Sequence, residues 1–379
     1  MNKKLLYIVN VDWFFVSHRL PIATEALRQG YDVHIASNFT IHFDYLESLG
    51  FTLHRVNFDR SGAGIIHEYK TFISICMLLK KIKPDLVHAV TIKPVLYGGI
   101  AARISGVRNM VFAVSGLGLV FVAKGLSAKI RRWFISRLYR FAFGVKNCKV
   151  IFQNPVDKMV VQKIVGLADN RCVMIKGSGV DLRKYTVQQE PESVSVVMAA
   201  RLLVEKGVYQ FIDASRLLKQ RGVEARFKLV GEPDPGNPNT VRSEELKLWE
   251  TEGVVELLGF REDINNVFAM SNIVVLPSFY GEGLPKVLIE AAACGRAIVT
   301  TDNPGCLEAV EVDKSGFIVP IKDSEALANA IERLVNDDEL RRSFGDAGRR
   351  LAEREFDVNS VVNKHLDIYN GLLKDVTVE

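Results

Sequence analysis

The sequence has no acidic residue between Asp85 and Asp157, no CxxC pair, and no glycine before Gly30. It also lacks an uninterrupted apolar run of membrane-spanning length. The five cysteines, Cys76, Cys148, Cys172, Cys294 and Cys306, are scattered and form no His/Cys cluster at zinc spacing. That excludes a zinc ribbon or a disulfide scaffold, points to no bound metal, and suits a reducing cytoplasm. The most apolar stretch, MVFAVSGLGLVFVA (110–123), is interrupted by Gly116 and Gly118 and falls short of the roughly 18 residues a spanning helix needs. The opening MNKKLLYIVNVDWFF has lysines before an apolar run but no small-residue cleavage site, so a first buried strand is expected rather than a signal peptide. No GxGxxG or GxxxxGK[ST] occurs, and SGLGLVF carries only GxG, which argues against a dinucleotide dehydrogenase or a P-loop NTPase.

What is present indicates a folded chain of two domains: 379 residues, 48% hydrophobic and 25% charged. The net charge of +5 conceals a division. Residues 1–185 hold 27 Lys+Arg against 11 Asp+Glu, whereas residues 186–379 hold 22 against 33. Within the acid-free interval, Lys124, Lys129, Arg131, Arg132, Arg137, Arg140, Lys146 and Lys149 interleave with Ile130, Trp133, Phe134, Ile135, Leu138, Tyr139, Phe141 and Phe143. On a helix these make a cationic face and an aromatic face. Such a helix suits an anionic membrane surface, each basic residue contributing about 1 kcal/mol; the alternative is a core stripe with a solvated basic side. No nucleic-acid module frames the patch, so nucleic acid is not an expected partner.

Continuous apolar runs followed by helical stretches (LLYIVNV, DVHIAS, DLVHAV, NMVFAV, KVIFQ) indicate parallel strands buried on both faces. The pattern restarts with SVVMAA, FKLVG, VVELLG, IVVLPS, AIVTT and GFIVP. The polar TVQQEPES (186–193) reads as a linker. Two doubly wound α/β domains follow, residues 1–185 and 193–356, with a last helix near 357–379 expected on the first domain. Ligands are expected at the carboxyl ends of the strands, in a cleft between the domains.

GEGLPKVLIEAAACG (281–295) follows a strand and opens a helix, with Pro285 suited to its first position and Gly295 to its C-terminal cap. The amides of Gly283, Leu284 and Lys286 favour an anion there. Glu282 and Glu290 flank them. A ligand with a diphosphate at its centre and polyols at both ends reconciles anion-binding amides with two carboxylates, because charge-assisted bonds to hydroxyls are strong. A nucleoside diphosphate sugar has that layout. Arg201 and Lys206, in AARLLVEKG, supply cations to neutralise a diphosphate leaving group. Read blandly, these residues are a loop acid, a solvated helix acid and surface cations.

GEGLPKVLIEAAACGRAIVTTDNPG, with RLLVEKG, LVGE, LLGFREDI, LPSFYGEGLP and KGSGVDLRKY in this order, resembles the retaining glycosyltransferases of family 4. NVDWFFVSHRLPIATEALRQGYDVHIAS and DLVHAVTIKPVLYGGIAARISGV are similar to bacterial members that build surface polysaccharide or lipid-linked oligosaccharide. The resemblance implies the GT-B fold: two Rossmann-like domains facing an interdomain cleft. It implies Arg201 and Lys206 on the donor diphosphate, Glu290 on the ribose and Glu282 on the transferred sugar. Gly283, Leu284 and Pro285 would shape the loop, and Gly259, Phe260 and Arg261 would line the base pocket. His88 matches a histidine that approaches the donor sugar; the bland alternative is a satisfied histidine at a strand end. Where many members have a glycine-rich loop after the first strand, this chain reads NVDWFFVSHR, so Asp12, Trp13, Ser17, His18 and Arg19 are assigned to the acceptor side. Asp12 and His18 are the candidate acceptor bases. The implied activity is transfer of a hexose or N-acetylhexosamine from a UDP-sugar to a polyprenyl-diphosphate-linked sugar, without cofactor or metal. It would occur at the cytoplasmic face of a bacterial plasma membrane, with the enzyme peripherally attached. The alternatives are a nucleotide-sugar epimerase of the same architecture and a non-catalytic sugar-binding module.

Overall fold

The computed structural model describes residues 2–58, 64–116, 126–234, 236–279 and 281–374, with the backbone alone described for Ile65 and residues 126–132. The chain forms two compact units. Unit 1 comprises Met1–Ser178 with Val358–Glu379, and unit 2 comprises Gly179–Asp357.

Unit 1 is built on seven strands: β1 (Lys4–Val11), β2 (Asp32–Asn38), β3 (Thr52–Arg55), β4 (Leu86–Val90), β5 (Asn109–Val114), β6 (Asn147–Phe152) and β7 (Cys172–Met174). They lie in the order β3-β2-β1-β4-β5-β6-β7, all parallel. β4 and β5 are buried at every position because helices cover both faces. One face carries α4 (Ile65–Ile82), α5 (Ile92–Ile104), α6 (Leu126–Ala142) and α7 (Pro155–Val165), packed through Leu79, Val95, Tyr139 and Val161. The other carries α1 (Asp12–His18), α2 (Leu20–Arg28), α3 (Phe43–Ser48) and the chain's last helix, α15 (Val358–Lys374), packed through Phe15, Ile22, Leu46 and Leu366.

Unit 2 has six parallel strands: β8 (Ser195–Ala199), β9 (Arg226–Val230), β10 (Glu256–Gly259), β11 (Ile273–Leu276), β12 (Ala297–Thr301) and β13 (Gly316–Val319), in the order β10-β9-β8-β11-β12-β13. Its helices are α8 (Val208–Gln220), α9 (Ser243–Thr251), α10 (Ile264–Ala269), α11 (Lys286–Ala293), α12 (Pro304–Leu307), α13 (Ser324–Asn336) and α14 (Asp338–Leu351). Both units are Rossmann-like, as the alternating runs indicate.

The boundary differs from the expected one. TVQQEPES lies inside unit 2, and the chain passes between units at Ser178–Gly179 and Asp357–Val358. Three buried or half-buried side chains hold the polar stretch: Arg296 donates to the Gln188 carbonyl (2.7 Å), Arg341 to Glu190 (3.0 Å) and Asn272 to the Pro191 carbonyl (3.0 Å). Polarity there serves hydrogen bonding to the unit rather than solvation of a linker. No helix among the described residues is long and apolar enough to cross a membrane.

Candidate active site

In an open parallel sheet the crevice for a ligand opens where the connections leave adjacent strands in opposite directions. In unit 2 that point lies between β8, whose chain goes on to β9, and β11, whose chain goes on to β12. The two loops there are residues 200–207 and 277–285, which carry Arg201, Lys206 and Glu282.

Glycine permits the loops to meet. Gly207 has φ +81°, and a Cβ there would lie 2.1 Å from the Pro277 carbonyl oxygen. Gly305, in the short helix α12, lets that helix touch the second loop, since its Cβ would fall 1.5 Å from the Gly283 carbonyl oxygen. Hydrogen bonds complete the frame. The Phe279 amide donates to the Glu205 carbonyl (3.0 Å), and the Thr301 hydroxyl donates to the Ser278 carbonyl.

Within this frame Lys206 Nζ lies 2.7 Å from Glu282 Oε2, and the two side chains are 18% and 11% exposed. The Ser278 hydroxyl donates to the other Glu282 oxygen. Arg201, 45% exposed, pairs with Asp234 at 3.1 Å. A buried thiol, Cys306, sits beneath; burial and then the Glu282 charge push it up to about 12, so it is inert. Leu284 is buried and packs the loop into the core. α11 begins at Lys286, making Pro285 its N-cap rather than its first residue, and Gly295 (φ +66°) follows the C-cap, Cys294.

Glu290 lies on the first turns of α11 and is 7% exposed. The Tyr185 hydroxyl donates to its Oε1 (2.7 Å), and Lys286 Nζ stands 3.4 Å from the same oxygen. Burial, reinforced by the Glu290 charge, raises the Tyr185 pKa, so this phenol stays a donor. Gly259 (φ +63°) ends β10 and accepts from the Gly231 amide (2.8 Å). Phe260 is 66% exposed, and Arg261 grips Asp263 through two bonds of 2.7 Å. Tyr185, Ser278 and Thr301 were not singled out from the sequence, because hydroxyls that act by supporting another side chain carry no spacing signal.

In unit 1 three candidates are corrected. His88 is the third residue of β4, opposite Tyr7 of β1, and is fully buried. Its Nδ1 meets the Tyr369 hydroxyl at 2.6 Å, and that hydroxyl meets Tyr7 Oη at 3.0 Å. A ring with no exposed surface in mid-strand anchors α15 instead of meeting a sugar. Arg19 is 2% exposed and joins the same cluster, donating to the His18 carbonyl (2.8 Å). Asp12 is buried and saturated: its oxygens accept from the amides of Trp13, Thr40, Ile41 and His42 and from the Thr40 hydroxyl, at 2.7–3.0 Å. Burial works to raise its pKa, but these bonds prevail and hold it below the usual range, so Asp12 frames a loop and is a poor base. Trp13, Ser17 and His18 occupy the other, half-exposed side of α1, where the His18 ring stacks on Phe14 at 4.1 Å.

The buried histidines give a pH prediction. Burial, with Arg19 close by, holds His88 well below 6.5 and His365 at about 3, while burial beside His34 holds His54 at about 4. Depressed folded values mean stability present above pH 6.5 and lost as pH falls towards the folded values, about 1.4 kcal/mol per pH unit for each of the fully buried His88 and His365 and less for the half-buried, solvent-screened His54. Asp157, raised to about 6 by burial, acts in the opposite sense below pH 6. The urea midpoint should therefore fall from pH 7 to pH 5, and less steeply in His365→Leu. A midpoint independent of pH would refute the assignment.

The sequence matches the family model described as Glycosyl transferases group 1 over residues 185–351 and that described as Glycosyl transferase 4-like over residues 4–154. The chain is 30% identical over 345 residues to the N,N'-diacetylbacillosaminyl-diphospho-undecaprenol alpha-1,3-N-acetylgalactosaminyltransferase of Campylobacter jejuni, covering 87% of this chain and 89% of that one. It is 27% identical over 323 residues to the UDP-Gal:alpha-D-GlcNAc-diphosphoundecaprenol alpha-1,3-galactosyltransferase of Escherichia coli, covering 80% of each. Its fold is similar to that of Anabaena HepE in complex with UDP, with a TM-score of 0.78 at 21% identity over 97% of this chain and 100% of that one. With the switch-point site of unit 2 and two Rossmann-like units, these likenesses place the chain in the group 1, family 4-like glycosyltransferases: it is a sugar-transferring enzyme of the GT-B fold.

Proposed function

We propose that the enzyme moves a hexose or N-acetylhexosamine from a UDP-sugar to a hydroxyl of a polyprenyl-diphosphate-linked sugar, with retention of configuration. The observation that carries this reading is the Lys206–Glu282 pair at the switch point of unit 2, with Glu290 held by Tyr185 beyond it. The cations of Lys206 and Arg201 neutralise the diphosphate as the sugar leaves, so charge is stabilised where it develops and no metal is invoked. Glu282, kept in place by Ser278, accepts hydrogen bonds from the transferred sugar. Glu290 accepts from the ribose, and Gly259, Phe260 and Arg261 flank the base. The acceptor hydroxyl attacks the anomeric carbon on the face the diphosphate vacates: the bond to UDP breaks as the glycosidic bond forms, and the hydroxyl proton passes to the leaving diphosphate, so no protein nucleophile is required. Both curated relatives carry lipid-diphosphate acceptors in their names, which supports the same class here.

A lipid acceptor implies work at a membrane surface, on the cytoplasmic side where nucleotide sugars are found. α6 offers a surface for it: Trp133, Phe134 and Phe141 are 61%, 57% and 42% exposed, while Tyr139 is buried in the core. Arg137 lies 5.3 Å above the Trp133 ring, and Arg103 lies 4.3 Å from the Phe141 ring. Lys124 lies outside the described residues, as do the side chains of Lys129, Arg131 and Arg132. Vesicles with anionic lipid should sediment the enzyme, and Trp133→Ala with Phe134→Ala should weaken that about tenfold or more; equal sedimentation with neutral vesicles would count against an electrostatic surface. The function itself is tested by incubating UDP-sugars with a lipid-linked acceptor extract and reading the product's anomeric centre by NMR. An α-linked product from an α-donor is expected, and a β-linked product would overturn retention.

A further inference from the structure

Unit 1 has its own switch point, between β1 and β4. β1 and β4 run in register up to Val9 and Val90, so Asn10 and Thr91 are the next residues on the two lips. Two irregularities coincide there. The register of β1 against β2 shifts between Ile8 and Val11, a bulge that re-aims Asn10. Thr91 has φ 75° and ψ 167°, a region that is essentially reserved for glycine and that a β-branched residue enters only under strain. The Thr91 hydroxyl donates to Asn10 Oδ1 at 3.2 Å, its amide reaches the Ala113 carbonyl at 3.3 Å, and its own carbonyl accepts the Val95 amide at 2.9 Å, starting α5. Lys93, two residues on, is 34% exposed and pairs at 2.5 Å with Glu68, which also accepts from the Tyr97 hydroxyl at 2.7 Å.

We propose that Thr91 is a positioning residue for sugar transfer: its strained backbone, held by Asn10, sets the tight β1–α1 and β4–α5 junctions beside the crevice that receives the hydroxyl-bearing sugar of the acceptor. The inference rests on the assignment of unit 1 to the acceptor. Strain of this kind persists only where the surroundings over-determine it, and it gathers at working sites. Core packing does not account for it, since Thr91 is half-buried, just past the carboxyl end of the central strand β4. Through the two junctions the pair orients the start of α1, which carries Trp13 and His18, and the start of α5, which carries Lys93. Neither helix depends on Thr91 for its fold as a whole, because α1 is anchored by Phe15 and α5 by Val95.

The test compares Thr91→Gly, Thr91→Ala, Thr91→Ser and Asn10→Ala. At an ordinary position alanine is more stable than glycine; at φ 75° the order inverts, so Thr91→Gly should melt above Thr91→Ala. Well below the melting temperature, Thr91→Ala and Asn10→Ala should each lose about tenfold in kcat for acceptor-dependent UDP release, with the donor KM unchanged and Thr91→Ser restoring the rate. Thr91→Ala melting above Thr91→Gly, or turning over at the wild-type rate, would overturn the inference. UDP release by the wild type that ignores the acceptor would instead overturn the assignment of unit 1, and the melting order would still read the strain.

Discussion

Lys206→Ala should lower kcat by about 10²–10³, the cost of removing one preorganised charge from a site where negative charge develops. Lys206 is the better-buried of the two cations at the switch point, 18% exposed against 45% for Arg201, so its field on a diphosphate is less screened. The substitution also strips Glu282 of the Lys206 counter-ion, while its carboxylate, 11% exposed, still accepts from Ser278. Part of the loss would therefore reflect a displaced Glu282. Lys206→Arg separates the two contributions: it keeps the charge but not the compact ammonium, and should recover part of the rate. Arg201→Ala should cost less than Lys206→Ala. Steady-state UDP release with one donor measures all three, and a Lys206→Ala enzyme within threefold of wild type would contradict the role given to this pair.

Glu290→Gln should act on the other half of the donor. Glutamine keeps the shape and can still accept from Tyr185, so the fold of α11 is preserved. What is lost is charge. A carboxylate accepting from ribose hydroxyls contributes about 1.5–3 kcal/mol per bond, against about 1 for a neutral acceptor. The donor KM should rise about ten- to a hundredfold with kcat changed much less, because the ribose is held equally in ground and transition states. Tyr185→Phe, which removes the 2.7 Å support without touching the carboxylate, should shift KM in the same direction by a smaller factor. A kcat loss with unchanged KM would move Glu290 from nucleotide binding to chemistry.

The loops proposed to hold the donor were legible in position because they are written in backbone chemistry. After the strand IVVL, the glycine, proline and helix start in FYGEGLPKVLIEAAACG determine where amides and carboxylates go, whatever the rest of the protein does. The strands were legible for a similar reason: apolar runs such as IVVL and NMVFAV have no other use in a chain of this size. The acceptor half was misread where side-chain type was taken for exposure. His88, Arg19 and Asp12 are polar, yet each is buried in unit 1, two of them around Tyr369, which is 281 residues from His88 in sequence. A contact of that range leaves no local signature. Nor does Thr91, because threonine is not a residue whose identity announces φ above zero. TVQQEPES was read as a linker from polarity alone, and the arginines that hold it, Arg296 and Arg341, lie more than 100 residues further along the chain.

The central claim is that the crevice between β8 and β11 holds the donor nucleotide. Crystals of the enzyme grown with UDP test it most directly. The account predicts the diphosphate beside Lys206 and Arg201, with the ribose hydroxyls on Glu290; UDP bound instead at the β1/β4 crevice of unit 1 would contradict it.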